Sequence, residues 1–125
     1  MFTSFISPTE LQKNIDNPNW RVFDCRYQLS DSNWGLEEYD REHIPNALYA
    51  KINRDLARKP YPGSGRHPMP LTEDFVKTCS AWGIEENTQV VVYDHLSGAF
   101  AARLWWLLRY HGHNAVAILD GGFNG

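Results

Sequence analysis

The sequence predicts a single α/β domain built on a parallel sheet with helices on both faces. Val90, Val91 and Val92 form an unbroken β-branched run with no polar alternation, the pattern of a strand buried on both sides. From Ala99 the period turns helical, with Phe100, Leu104, Leu107 and Leu108 on one face. Along the whole chain helical and extended patterns alternate, which calls for parallel strands joined by right-handed crossovers. At 125 residues, with five Trp, six Tyr and six Phe, residues 1–125 can bury a real core as one domain.

Taken in order, Ser7-Pro8-Thr9-Glu10 is a helix start. Ser7 can cap, Pro8 suits the first helical position, and Glu10 stands where a capping box places a carboxylate. That helix ends by Asn17-Pro18. Trp20 to Cys25 reads as the first long strand, running into Arg26. Asp24 and Arg26 lie two apart on an extended chain, share a face, and are expected to form a structural ion pair. Residues 27 to 38 hold Ser, Asp, Asn and Gly and are expected to wrap the sheet edge before a short helix near Glu37 to Glu42. His43-Ile44-Pro45 ends that helix, because a residue before proline is pushed out of the α region. His43 is read as a hydrogen-bonded structural residue, and Asn46 to Tyr49 as another short strand.

Residues 51 to 70 carry four prolines and two glycines, a composition that predicts no regular structure. The stretch holds five Lys or Arg (Lys51, Arg54, Arg58, Lys59 and Arg66) plus His67, against one Asp. It is either a solvated surface loop or, as a long basic loop in a compact domain, a binding element for a small anion. Arg66 and His67 are the first candidates. Thr72 starts the next helix, with Glu73 and Asp74 in its first turn and Phe75, Cys79 and Trp82 on one face, so Cys79 reads as a core residue. Gly83 closes it and Ile84 follows. After the central strand and the long helix, which Gly112 stops, Ala115 to Leu119 makes a last strand ending in Asp120-Gly121-Gly122. No closing helix follows, and the chain reads as cut short.

A net charge of −3 and a pI near 5.9 argue against a nucleic-acid binder. The N-terminal MFTSFISPTE has no basic region or long apolar run, so neither a signal peptide nor a membrane span is expected. Cys25 and Cys79 stand at unrelated positions, which predicts no metal site, no disulfide framework and a reducing cytoplasm. No cofactor is expected.

The candidate site lies where the central strand meets the long helix. Asp94 ends the strand, His95, Leu96 and Ser97 make a short loop, and Gly98 relaxes the backbone before Ala99 opens the helix. Strand end, loop and helix start make a cradle of free N–H groups with a positive dipole behind it. In open α/β sheets ligands bind at this end of the strands. Asp94 is either a loop anchor or a nucleophile. The acidic partners that metal-assisted chemistry would need are not visible, which favours the anchor.

Asp24-Cys25-Arg26, His43-Ile44-Pro45-Asn46-Ala47, Gly65-Arg66-His67-Pro68, Val91-Val92-Tyr93-Asp94, Ala102-Arg103-Leu104-Trp105-Trp106 and Leu119-Asp120-Gly121-Gly122 follow one another in the order of a known family. Together they resemble a rhodanese domain, and more narrowly the N-terminal half of a two-domain thiosulfate or 3-mercaptopyruvate sulfurtransferase. The resemblance implies a three-layer fold. It also implies a cysteine directly after the central strand in an active domain, which takes sulfur from the donor as a persulfide and passes it to cyanide or a thiol. Here that position is Asp94, and a carboxylate cannot form a persulfide. The resemblance therefore implies an inactive loop, Asp94 to Ala99, with the active cysteine in a C-terminal rhodanese domain of the same protein. This half would supply part of the interdomain cleft, where the donor anion binds.

In the mercaptopyruvate branch the resemblance implies a relay in which an acid and a histidine assist a serine of the other domain. The histidine falls on His67 and the acid on Asn53, which cannot serve as a charged member. Asn46 stands where the family usually has glycine, and asparagine tolerates left-handed backbone better than most residues. Cys25 stands beside Arg26, where a cation could lower a thiol pKa, but no glycine-rich loop or helix start follows it, so neither cysteine replaces the missing nucleophile. A stand-alone, non-catalytic binding or regulatory module is the alternative reading.

Overall fold

The computed structural model describes residues 1–95 and 98–123. Its elements are β1 (Phe5–Ile6), α1 (Pro8–Asn14), β2 (Trp20–Asp24), α2 (Trp34–Arg41), β3 (Leu48–Tyr49), α3 (Ile52–Asp55), α4 (Thr72–Ala81), β4 (Gln89–Tyr93), α5 (Ala99–Tyr110) and β5 (Val116–Leu119). The strands form one sheet in the order β1-β5-β4-β2-β3, every pair parallel.

β4 is central. It pairs with β2 from Gln89 opposite Trp20 to Tyr93 opposite Asp24, and with β5 from Val90 opposite Val116 to Val92 opposite Ile118. Its three valines are inaccessible to solvent because alternate side chains serve two cores. Val90 and Val92 join Phe23, Phe75, Leu104 and Leu108 under α4 and α5. Val91 and Tyr93 join Val22, Leu11 and Leu119 under α1, with Tyr39 of α2 packed at the margin. Burying a side chain of this size contributes roughly 1.5–3 kcal/mol, so neither face of β4 has room for a polar alternation. The three-layer α/β fold is the one the sequence predicts.

Local chemistry fixes the element ends. The Glu10 N–H donates to Ser7 Oγ at 3.2 Å, capping α1. Asn46 adopts a left-handed φ of 68° at the turn into β3, and its side-chain amide donates to Ile15 O at 3.1 Å.

The structure departs from expectation in three places. β1 was not anticipated, since two residues carry no period; it is held by Ile118 N–H to Ser4 O and Asp120 N–H to Ile6 O, both 2.9 Å. Residues 51–70 contain a helical turn, α3, because Ile52 is buried and the Asp55 carboxylate accepts the Lys51 N–H at 2.9 Å. α2 begins at Trp34, ahead of Glu37. Gly35 lets it press onto β2's exit, where an added Cβ would lie 1.9 Å from Arg26 O.

Candidate functional site

The loop between β4 and α5 turns at Gly98, whose φ of 86° is a left-handed value favouring glycine. The turn aims the first N–H groups of α5 back at the end of β4. Asp94, 1% exposed, meets them with its carboxylate. Oδ1 accepts from Gly98 N–H at 3.1 Å, and Oδ2 accepts from Phe100 N–H at 2.9 Å and Ala101 N–H at 3.0 Å. These are helix-terminal donors with no partner inside the helix, and the dipole of a twelve-residue helix favours the negative charge. The cradle is an anion site filled by the protein's own carboxylate. Its back is closed by Phe123, whose N–H donates to Asp94 O at 2.9 Å. Leu96 and Ser97 lie outside the described residues, and Ala99 is exposed at the start of α5.

A row of rings leads from the cradle to the basic loop. His95 meets Trp34 edge-on at 4.7 Å between centroids and lies parallel to Phe100 at 6.3 Å. Phe100 packs on Tyr27 at 5.7 Å, and Tyr27 on His67 at 5.6 Å. The structure thus brings His67 and the Asp94–Ala99 loop onto one face. Burial, and then the positive charges of Arg103 and Arg66, hold the His67 imidazole below its usual pKa. Arg66 is exposed, with no ion pair among the described residues.

Asn53 stands apart. It is exposed on α3 and lines a separate polar hollow of about 330 Å3 shared with Asp74 and Thr78 of α4. Among the described residues no hydrogen bond joins it to His67.

The sequence sets Cys25 beside Arg26, but the structure gives its thiol no help from that cation. The Arg26 guanidinium turns to Asp24, with Nη2 to Oδ2 at 2.7 Å and Nε to both oxygens at 3.0–3.1 Å, and it also donates to Glu42 O at 2.6 Å. Cys25 is 0% exposed, and burial, followed by the charges of Asp24, Asp94 and Asp55, pushes its thiol well above the ordinary value. Burial likewise raises Cys79 to about 11. The Asp24–Arg26 ion pair is the one expected, and the guanidinium lies 4.2 Å over the Phe123 ring. His43 is structural, with Nδ1 2.6 Å from Tyr39 O and the ring stacked on Tyr39.

Arg103 escaped the sequence reading. It donates to the carbonyls of Leu56, His67 and Pro68 at 2.7–3.2 Å, so α5 grips the basic loop directly. The available signal was a single cation within the apolar stretch from Ala99 to Leu108.

The family model for the rhodanese-like domain matches residues 7–125. A Pseudomonas aeruginosa protein named "Probable 3-mercaptopyruvate sulfurtransferase" is 40% identical over 119 residues, covering 94% of this chain and 42% of that protein. An Arabidopsis thaliana protein named "Thiosulfate/3-mercaptopyruvate sulfurtransferase 2" is 39% identical over 118 residues, covering 94% and 34%. The solved structure of a 3-mercaptopyruvate sulfurtransferase from Leishmania major matches with a TM-score of 0.87 at 33% identity, covering 97% of this chain and 33% of that one. The chain spans less than half the length of each.

Proposed function

The chain belongs to the rhodanese-like domain family, and on that premise we propose that it is the N-terminal, non-catalytic half of a two-domain sulfurtransferase. In the reaction a thiolate of the C-terminal domain attacks the outer sulfur of thiosulfate, sulfite leaves, and the persulfide passes that sulfur to cyanide or a thiol. From 3-mercaptopyruvate the same transfer leaves pyruvate. The observation that carries this reading is the Asp94 carboxylate seated on the cradle's N–H groups. Those donors would stabilise a sulfur anion, yet they serve a side chain without sulfur.

The cysteines support the same division of labour. A thiol as buried as Cys25, or held near 11 like Cys79, supplies little thiolate at neutral pH, so the sulfur chemistry is assigned to the other domain. This half contributes Arg66 and His67 as cleft groups for the donor anion. Both cysteines are free thiols, which suits a reducing cytoplasm.

Intact-mass spectrometry of the chain after thiosulfate, and separately after 3-mercaptopyruvate, tests the reading. No added sulfur is expected here, and one cyanide-labile sulfur on the full-length parent. A stable gain of sulfur by this chain alone would make Cys25 or Cys79 a working thiolate and end the proposal. A parent lacking a second domain with a loop cysteine would favour the stand-alone binding module.

A further inference from the structure

Arg103 sits one turn inside α5, but its side chain serves another segment. Nε donates to Leu56 O at 3.1 Å, and Nη2 to Leu56 O at 2.9 Å, His67 O at 2.7 Å and Pro68 O at 3.2 Å. Leu56, just after α3, and Pro68 flank the irregular part of the basic loop, whose neck is closed by Arg58 N–H to Pro68 O at 3.2 Å. One planar guanidinium therefore ties both ends of that loop to the helix whose first turn is the cradle. The partners are all carbonyls. Arg103 makes no ion pair among the described residues, so its charge stays uncompensated beside His67 and Arg66.

From this geometry we propose that Arg103 is the positioning residue that fixes Arg66 and His67 toward the donor anion in the interdomain cleft. The inference rests on the sulfurtransferase reading above. Residues 57–70 hold four prolines and two glycines and no helix or strand, so little of the loop's own structure holds Arg66 and His67 in place. Holding them from outside removes the cost of ordering them when the anion arrives. Arg103 itself reaches main-chain carbonyls and no reacting atom.

The test compares Arg103→Met, Arg103→Lys and Arg109→Met in the full-length parent with thiosulfate, alongside trypsin digestion of the present chain. Arg109 lies on the same helix, 4.9 Å over Trp105, so its replacement removes an equal charge away from the loop. Arg103→Met is expected to raise the thiosulfate KM roughly tenfold with kcat changed by less than about twofold. Arg109→Met should leave both as they are. Arg103→Lys should fall between, since one ammonium cannot bridge both loop ends as a planar fork does. Trypsin should cut after Arg58 and Arg66 faster in Arg103→Met than in Arg109→Met.

An unchanged KM in Arg103→Met overturns the proposal even if cleavage accelerates, because the clamp is then only structural. An equal response in Arg109→Met also overturns it. A wild-type parent that turns over neither donor defeats the sulfurtransferase reading. Cleavage then judges the clamp alone: equal rates sink it and faster cutting of Arg103→Met upholds it.

Discussion

The cradle loop and the basic loop are held by opposite chemistry. In the cradle, main-chain N–H groups are gathered and a side-chain anion, Asp94, satisfies them. In the basic loop, main-chain carbonyls are gathered and a side-chain cation, Arg103, satisfies them. Both fastenings lie in the first turns of α5. The cradle's positive field is cancelled from within, whereas the clamp adds a charge next to Arg66 and His67. Positive charge without a carboxylate partner therefore lies at the loop end of the ring row and not at the helix start. An intact anion-binding geometry and an available anion site are separate properties.

Breaking the cradle should have the largest effect. Asp94→Ala strands three donors, that of Ala101 buried and those of Gly98 and Phe100 partly so, and is expected to cost about 3 kcal/mol in urea unfolding. Formate, small enough to take the vacated place, should restore part of the loss where chloride does not. A loss no greater than that of an ordinary surface substitution would mean the carboxylate is not what holds the loop.

Arg103→Met tests the other side of the comparison. Two of its three carbonyl partners, on half-exposed His67 and Pro68, can turn to water, so about 1–2 kcal/mol is expected by the same measurement. A cost exceeding that of Asp94→Ala would reverse the ranking of the two fastenings.

The smallest effect is a pH dependence from His67. Burial, then Arg103 and Arg66, place its folded pKa below the ordinary 6.5. Between the two values the unfolded chain binds more protons, so this contribution is complete above 6.5 and is lost as pH falls through the folded value. Imidazole NMR should show a His67 midpoint below 6.5, moving upward in Arg103→Met. His67→Asn should flatten this part of the acid limb of the stability curve. A midpoint at or above 6.5 would contradict the charge arrangement around the loop.

What the sequence showed and what it concealed divide along physical lines. β4 and α5 were legible because a β-branched run and a helical period are local patterns, and both are buried as their patterns require. The Asp24–Arg26 pair was legible from the residue types and a spacing of two, and the left-handed turn at Asn46 from the resemblance, which places a glycine there. The ring row was not, because Tyr27, Trp34, His67, His95 and Phe100 meet only after the crossovers from β2 to β3 and from β3 to β4 bring their loops to one end. α3 was masked by the prolines that follow it, and β1 by its brevity. The inertness of Cys25 follows from the same rule that found the ion pair: on an extended chain Asp24 and Arg26 share a face, and the residue between them faces away. Cys25 belongs instead to the core under α4 and α5.

The filled cradle also restricts how this loop could change through inheritance. Asp and Cys codons differ by more than one base, and a direct route between them passes through Gly or Tyr. Neither Asp94→Gly nor Asp94→Tyr supplies a compact anion to the three N–H groups, and Tyr adds bulk to a position that is 1% exposed. A lineage crossing from carboxylate to thiolate by that direct route would have to survive a destabilised ancestor on the way.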